Sequence, residues 1–260
     1  MIRRILLSAV AAFAAGAVTA HADTKDDLQA AFQKLSDSAN YSWSADTENA
    51  NGPGFGAGTT EGQTEKDGFT HYTIPTRDGT TDVYTKGDKA AIKTDSGWQL
   101  ASEILANADQ NGGGGGGGGF DPNVFMARRV QTMKPPAEQA ISEIGNLTNI
   151  QSTADGFSAD FTQDGAKQLL TFGRRRPANA DNNNNGGGNN FPTPDISNAK
   201  ADLKVTVKDG VVTQTVLHVS GTVSFNGNDR DIDRTTTTTF KDVGSTTVTV
   251  PDDAKAKLNS

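Results

Sequence analysis

The stretch from 201 to 250 constrains this chain more than any other. Ala201-Asp202-Leu203-Lys204-Val205-Thr206-Val207-Lys208 alternates apolar and polar residues without a break, the pattern of a strand with one buried face. Asp209-Gly210 follows. That pair suits a type I′ turn, whose two central residues need φ > 0. A second strand is predicted over 211–225, a third and threonine-rich one over 229–240, and a short fourth over 246–250, stopped by Pro251. Sequential strands joined by tight turns predict an antiparallel meander. Its apolar face needs a cover, which the rest of the chain must supply.

Residues 1–22 predict an export signal. Arg3 and Arg4 form a positive start, 5–18 an apolar stretch, and Ala20-His21-Ala22 an A-x-A motif with cleavage expected after Ala22. The apolar stretch falls short of the roughly 20 residues a membrane span needs. No cysteine follows to carry a lipid anchor. The mature chain is therefore expected to be periplasmic or secreted, with no membrane span after cleavage. A chain with no cysteine has neither a disulfide framework nor a thiolate metal site. It must hold itself together by its core, and its length allows that. The formal charge of −7 becomes more negative once Arg3 and Arg4 are lost. Such an acidic chain is a poor partner for nucleic acid.

Residues 23–260 read as one domain. Leu28, Ala31, Phe32 and Leu35 fall at helical spacing, so 23–39 is predicted helical and packed on a sheet. Strands are expected at 41–48, 59–64, 69–74, 81–85, 89–93 and 98–100, followed by a short helix over 102–108. The glycine run within 111–119 argues for a flexible loop. It is no phosphate loop, because Phe120-Asp121-Pro122 stands where Gly-Lys-Ser/Thr is needed. Asp121-Pro122 instead opens a helix, with Asp as N-cap and Pro at the first helical position. A second helix is expected over 136–144, a hairpin over 148–162, and a helix over 163–172. Arg174-Arg175-Arg176 leads into an Asn/Gly tract at 179–190, a second low-complexity loop. The arginine triplet reads as a solvated loop flank before it reads as an anion site. Two mid-chain helices set between two meanders predict a cap.

Catalytic signatures do not emerge. The mature chain keeps His71 and His218, and neither belongs to an H-x-x-x-H pattern. No G-x-S-x-G elbow is present. Asp229, Asp231 and Asp233 share a strand face. Yet Arg234 occupies the position where a calcium loop needs Gly, and Phe240 the position of its bidentate Glu. Asp46 and Glu48 form a carboxylate pair with only Tyr41 and Trp43 nearby as sugar platforms. The side faced by His218 depends on the Asp209-Gly210 turn. A two-residue turn puts Val212, Val216 and His218 with Leu203, Val205 and Val207. A three-residue loop with a bulge puts Leu217 and Val219 there instead. Both remain open.

The order of elements is signal, amphipathic helix, meander, helices, closing meander. It ends in Phe240-Lys241-Asp242-Val243-Gly244 and Val248-Thr249-Val250-Pro251-Asp252-Asp253-Ala254. With Tyr41-Ser42-Trp43 and Gly97-Trp98-Gln99-Leu100, this resembles the LolA-like periplasmic lipoprotein-carrier superfamily and its lipid-binding lipoprotein relatives. The resemblance implies an α+β fold: a single curved antiparallel sheet, a half-barrel, with helices packed on the concave face. It also implies a non-enzymatic binder of a lipid or lipoprotein acyl chain held between sheet and helices. No cofactor, metal or catalytic residue is expected. Candidate cavity-wall residues are Tyr41, Trp43, Phe69, Trp98, Val216, Leu217 and Phe225, and candidate lid residues are Phe120, Val124, Phe125 and Ile141. The alternative is an envelope structural or interaction protein of the same fold, with a filled core and no small-molecule ligand.

Overall fold

A computed structural model describes residues 21–50, 52, 57–77, 79–110, 121–171, 194–225 and 227–260. Residues 1–20 of the expected signal, the glycine run, Phe120, the arginine triplet and the asparagine tract lie outside them.

The chain opens with helix α1 (His21–Ser36) and a meander of six strands, β1 (Asn40–Asn49), β2 (Gly58–Glu65), β3 (Thr70–Thr76), β4 (Gly79–Lys86), β5 (Lys89–Thr94) and β6 (Gly97–Leu100). Three helices follow, α2 (Ala101–Gln110), α3 (Pro122–Val130) and α4 (Pro136–Glu143). Then come β7 (Leu147–Thr153), β8 (Gly156–Phe161), α5 (Gln163–Leu170), β9 (Asp195–Lys208), β10 (Val211–Phe225), β11 (Asn228–Lys241) and α6 (Asp252–Asn259). The strands form one open 11-stranded sheet, in the order β6-β5-β4-β3-β2-β1-β11-β10-β9-β8-β7. Every pairing is antiparallel. The two meanders meet at one seam, where β1 pairs with β11 and Trp43 stands opposite Phe240. This is the curved antiparallel sheet with helical cover that the sequence led us to expect.

Helices α1 to α5 pack on the inner face. Leu28, Phe32 and Leu35 of α1, Ile104 of α2, Met126 and Val130 of α3, Ala137 of α4 and Leu170 of α5 join one buried cluster with Trp43, Tyr72, Ile92 and Val219. Asp121 caps α3 as expected, its Oδ1 accepting from the N–H groups of Asn123 and Val124.

Two irregularities set which side chains face the core. The β9–β10 turn has two residues, with Asp209 at φ 54° and Gly210 at φ 76°, as the type I′ reading predicts. Val212 then pairs with Val207, but Gln214 pairs with Thr206, so β10 carries one extra residue, Thr213. That bulge flips the strand beyond it. Leu217 and Val219 end opposite Leu203 and Ala201, while Val216 and His218 turn away. A second shift, between Ser220 and Thr222, places the extra residue on β9, where Asn198 adopts φ 54°. Gly221 sits across from it. A Cβ there would come within 2.6 Å of Leu170 Cδ1, so the glycine lets α5 settle on the sheet.

The C-terminal segment departs from expectation. Residues 246–250 form no strand and pair with none. Their backbone is held by side chains and by a phenol. The Thr246 N–H donates to Asn40 Oδ1, the Val248 N–H to Glu65 Oε1, and Tyr84 Oη donates to the Thr249 carbonyl. The segment leads into α6, a helix the sequence reading did not anticipate. This helix lies on the outer face, where Ala254 and Leu258 join Val248, Tyr84 and Ala91 in a second buried cluster. The cover of the sheet is thus two-sided over β4–β6.

Candidate functional site

Strand alternation sorts the candidate residues onto opposite faces. Tyr41 and Trp43 point inward from β1 and are buried. Tyr72 joins them from β3. The ring centroids of Tyr41 and Trp43 lie 5.6 Å apart, and those of Trp43 and Tyr72 5.5 Å apart in an edge-on contact. Gly62 stands directly opposite Trp43, and its missing side chain leaves room for the indole.

Beside this packed aromatic patch the inner face is only partly covered. Ala45 and Leu217 from the sheet, and Val124, Met133, Ala140 and Ile141 from α3, α4 and the turn between them, are half-buried and rest against the core. Phe125 of α3 is half-buried as well. Leu217, Val124 and Ile141 thus each pack, partly buried, against the inner core cluster.

The polar groups on this side are unusual. The hydroxyls of Tyr41 and Tyr72 and the Asn49 Nδ2 are buried without a hydrogen-bond partner of good geometry. Burial drives both phenol pKa values up, with the Ala137 amide opposing it at Tyr41 and the Thr85 hydroxyl opposing it at Tyr72. Arg129 of α3 and Arg234 of β11 are half-buried, and loss of solvent lowers the pKa of each guanidinium. Arg234 Nη2 donates to the Leu169 carbonyl at the end of α5. Neither arginine stood among the candidates read from sequence. Inward alternation along β11 could have flagged Arg234, since it shares parity with Ile232 and Phe240.

The other candidates lie elsewhere. Phe69 and Trp98 are on the outer face and pack with Tyr84 and Ala91 beneath α6. Val216 shares the outer face with His218, one residue from inward-facing Leu217. Phe225 is 44% exposed at the end of β10. Phe69, Trp98 and Val216 therefore do not share the face of Tyr41 and Trp43, whereas Phe225, opposite Asn228, has inner parity.

On the outer face, His218 bridges two strands. Its Nδ1 lies 3.1 Å from Asp202 Oδ1 and its Nε2 3.0 Å from Asp233 Oδ1. Both nitrogens donate only in the imidazolium form. Asp233 is the main cause of a pKa raised above the ordinary 6.5, partial burial opposes it, and Asp202 adds to it. The ion pairs' contribution to stability is fully present below the unfolded value and is lost as pH rises through the higher folded value. An NMR titration of the His218 ring should give a midpoint above 6.5, and Asp233→Asn should move it down. A midpoint at or below 6.5 in the native protein would contradict the bridge.

His71 also sits outside, its Nε2 at 2.9 Å from Asp82 Oδ1 and its ring stacked on Tyr84 at 4.4 Å. Among the described residues neither imidazole is hydrogen-bonded to a hydroxyl. Among them, too, no group of three or more His, Asp or Glu side chains is placed to hold a metal ion. No described helix is long and apolar enough to cross a membrane.

No protein-family model and no curated protein matches the sequence. Among solved structures, the chain is similar to the lipoprotein LppX of Mycobacterium tuberculosis, with 8% identity and a TM-score of 0.46 over 89% of this chain and 100% of that one. It is similar to LprF from Mycobacterium bovis, with 10% identity and a TM-score of 0.42 over 89% and 97%. A LolA superfamily protein from Nitrosomonas europaea gives 11% identity and a TM-score of 0.30 over 88% and 96%.

Proposed function

We propose that this protein is an exported, non-enzymatic carrier that holds an apolar ligand, a lipid or a lipoprotein acyl chain, between the inner face of its sheet and helices α3 and α4. The observation that supports the reading is the set of half-buried apolar side chains that pack on the inner core from both the sheet and the helices. Val124, Met133, Ala140 and Ile141 come from the helical side and Leu217 and Ala45 from the sheet. All lean on a closed core without being closed over themselves. An acyl chain laid among them would remove their remaining apolar surface from water, at about 25 cal/mol per Å². Tyr41 and Trp43 would form the packed end of the space. A carrier needs this combination: a rigid sheet, and a cover made of short helices on separate connections that can shift without unfolding the strands.

The test is native mass spectrometry of protein purified gently from the cell envelope, followed by delipidation and titration with a fluorescent fatty-acid probe. Bound lipid in the first experiment and saturable probe binding in the second are expected, and Leu217→Arg should abolish both. Absence of lipid together with absence of probe binding would favour the alternative of an envelope interaction protein with a filled core. The closely packed Tyr41, Trp43 and Tyr72 rings show that part of the inner face is already filled in this way.

A further inference from the structure

The register of the sheet separates its charges. Every Asp and Glu within the strands, Asp46, Glu61, Asp82, Asp202 and Asp233 among them, lies on the outer face, together with every strand lysine. The two strand charges of inner parity are both arginines, Arg230 and Arg234 of β11. Arg230 is exposed near the strand end, whereas Arg234 is half-buried. The helical cover adds a third. Arg129 flanks the buried Met126 and Val130 on α3 and is half-buried itself. Among the described residues its guanidinium has neither an ion pair nor a hydrogen bond. In a chain whose formal charge is −7, the inner face of the sheet carries two arginines and no strand carboxylate, and Glu138 of α4 is the acid whose charge reaches Tyr41 and Tyr72.

Hydrogen-bonding capacity is skewed in the same direction. Among the described residues, the three buried side-chain atoms without a partner, Tyr41 Oη, Tyr72 Oη and Asn49 Nδ2, all belong to inward-facing residues. All three can donate. Asn49 stands directly across from Arg234, within side-chain reach of it. Buried donors are normally matched by acceptors, and an unpaired cation in a poorly solvated place is costly. The inner face of the sheet thus has strand arginines without strand carboxylates, and, among the described residues, buried donors without acceptors.

We infer that the ligand of this inner space is an anionic amphiphile: an acyl chain with a carboxylate or phosphate head, neutralised by Arg129. This rests on the carrier reading above and specifies the ligand's chemical class. A neutral ester or hydrocarbon would leave Arg129 half-buried and unpaired, so head-group charge, rather than chain length, should dominate selection.

The experiment compares the full mature chain, after delipidation, with a fluorescent polyene fatty acid (cis-parinaric acid) and its methyl ester, which differ in the head group alone. The wild-type protein should bind the acid at least tenfold more tightly than the ester. Arg129→Gln should remove that preference while leaving the ester's Kd within twofold, which also reports that the variant is folded. Arg129→Lys should restore most of it. Competition by lysophosphatidic acid against lysophosphatidylcholine then tests a net-anionic phosphate head against a zwitterionic one: displacement by the former alone assigns an anionic phosphomonoester as an accepted head. Equal binding of acid and ester by the wild type, or an acid preference that survives Arg129→Gln, would overturn the head-group assignment and leave the apolar site standing. Binding of neither probe would bring down the carrier reading and this inference with it.

Discussion

Gly62→Val is expected to destabilise the fold by about 3 to 5 kcal/mol, the range seen when a large buried aromatic loses its place. Gly62 pairs across β1–β2 with Trp43. A Cβ at this position would fall inside the indole, within 2.6 Å of Cη2 and nearer still to Cζ2 and Cε2. The backbone of Gly62 is not in the left-handed region, so the obstacle is space and not conformation. Trp43 cannot retreat. It is 4% exposed, with Tyr41 and Tyr72 within 6 Å of its ring centroid. The indole must leave its site or β2 must separate from β1, and either breaks the sheet next to its seam. Urea denaturation measures the loss. Gly145→Ala provides the control, because a Cβ there meets nothing within 4 Å. An unchanged midpoint for Gly62→Val would show that Trp43 is free to repack.

Leu258→Ala is the second large effect, with an expected loss of about 2 to 4 kcal/mol. Leu258 is 3% exposed in α6, and it shares the outer cluster with Ala254, Tyr84, Ala91 and Val248. Its removal should loosen α6 from the sheet, because the polar anchors of that helix are exposed. Lys257 pairs with Glu103 at 2.9 Å near the surface, and Lys86 donates to Asn259; such contacts contribute little. Hydrogen exchange should therefore quicken in β4, β5 and β6 while β9 and β10 keep their protection. Uniform loss of protection would mean that α6 supports the whole sheet and not one end of it.

The site candidates show where reading a sequence stops. Tyr41, Trp43 and Leu217 face inward, but Val216, Phe69 and Trp98 face outward. Their hydrophobicity marked all six alike. A sheet buried on one face would have made every large apolar strand residue an inner one. Here α6 buries the outer face of β4–β6 as well, so apolar character no longer tells one face from the other. The helix itself had a readable start in Pro251-Asp252-Asp253, with Ala254 and Leu258 four residues apart. Nothing local said which side of the sheet it would cover.

Local patterning determined the strands, their antiparallel order and the turns, because alternation and φ > 0 pairs such as Asp209-Gly210 act over a few residues. It also placed the capped helix at Asp121 and indicated a sheet needing a cover. Only the folded molecule decided the β1–β11 seam, the extra residue at Thr213 and the position of α6. Each depends on partners far apart in the chain, as Trp43 and Phe240 are. The facing of His218 turned on a single bulged residue, and the isolation of Arg129 on which side chains do not reach it. Alternation within one strand cannot report either, because each is a property of what lies opposite.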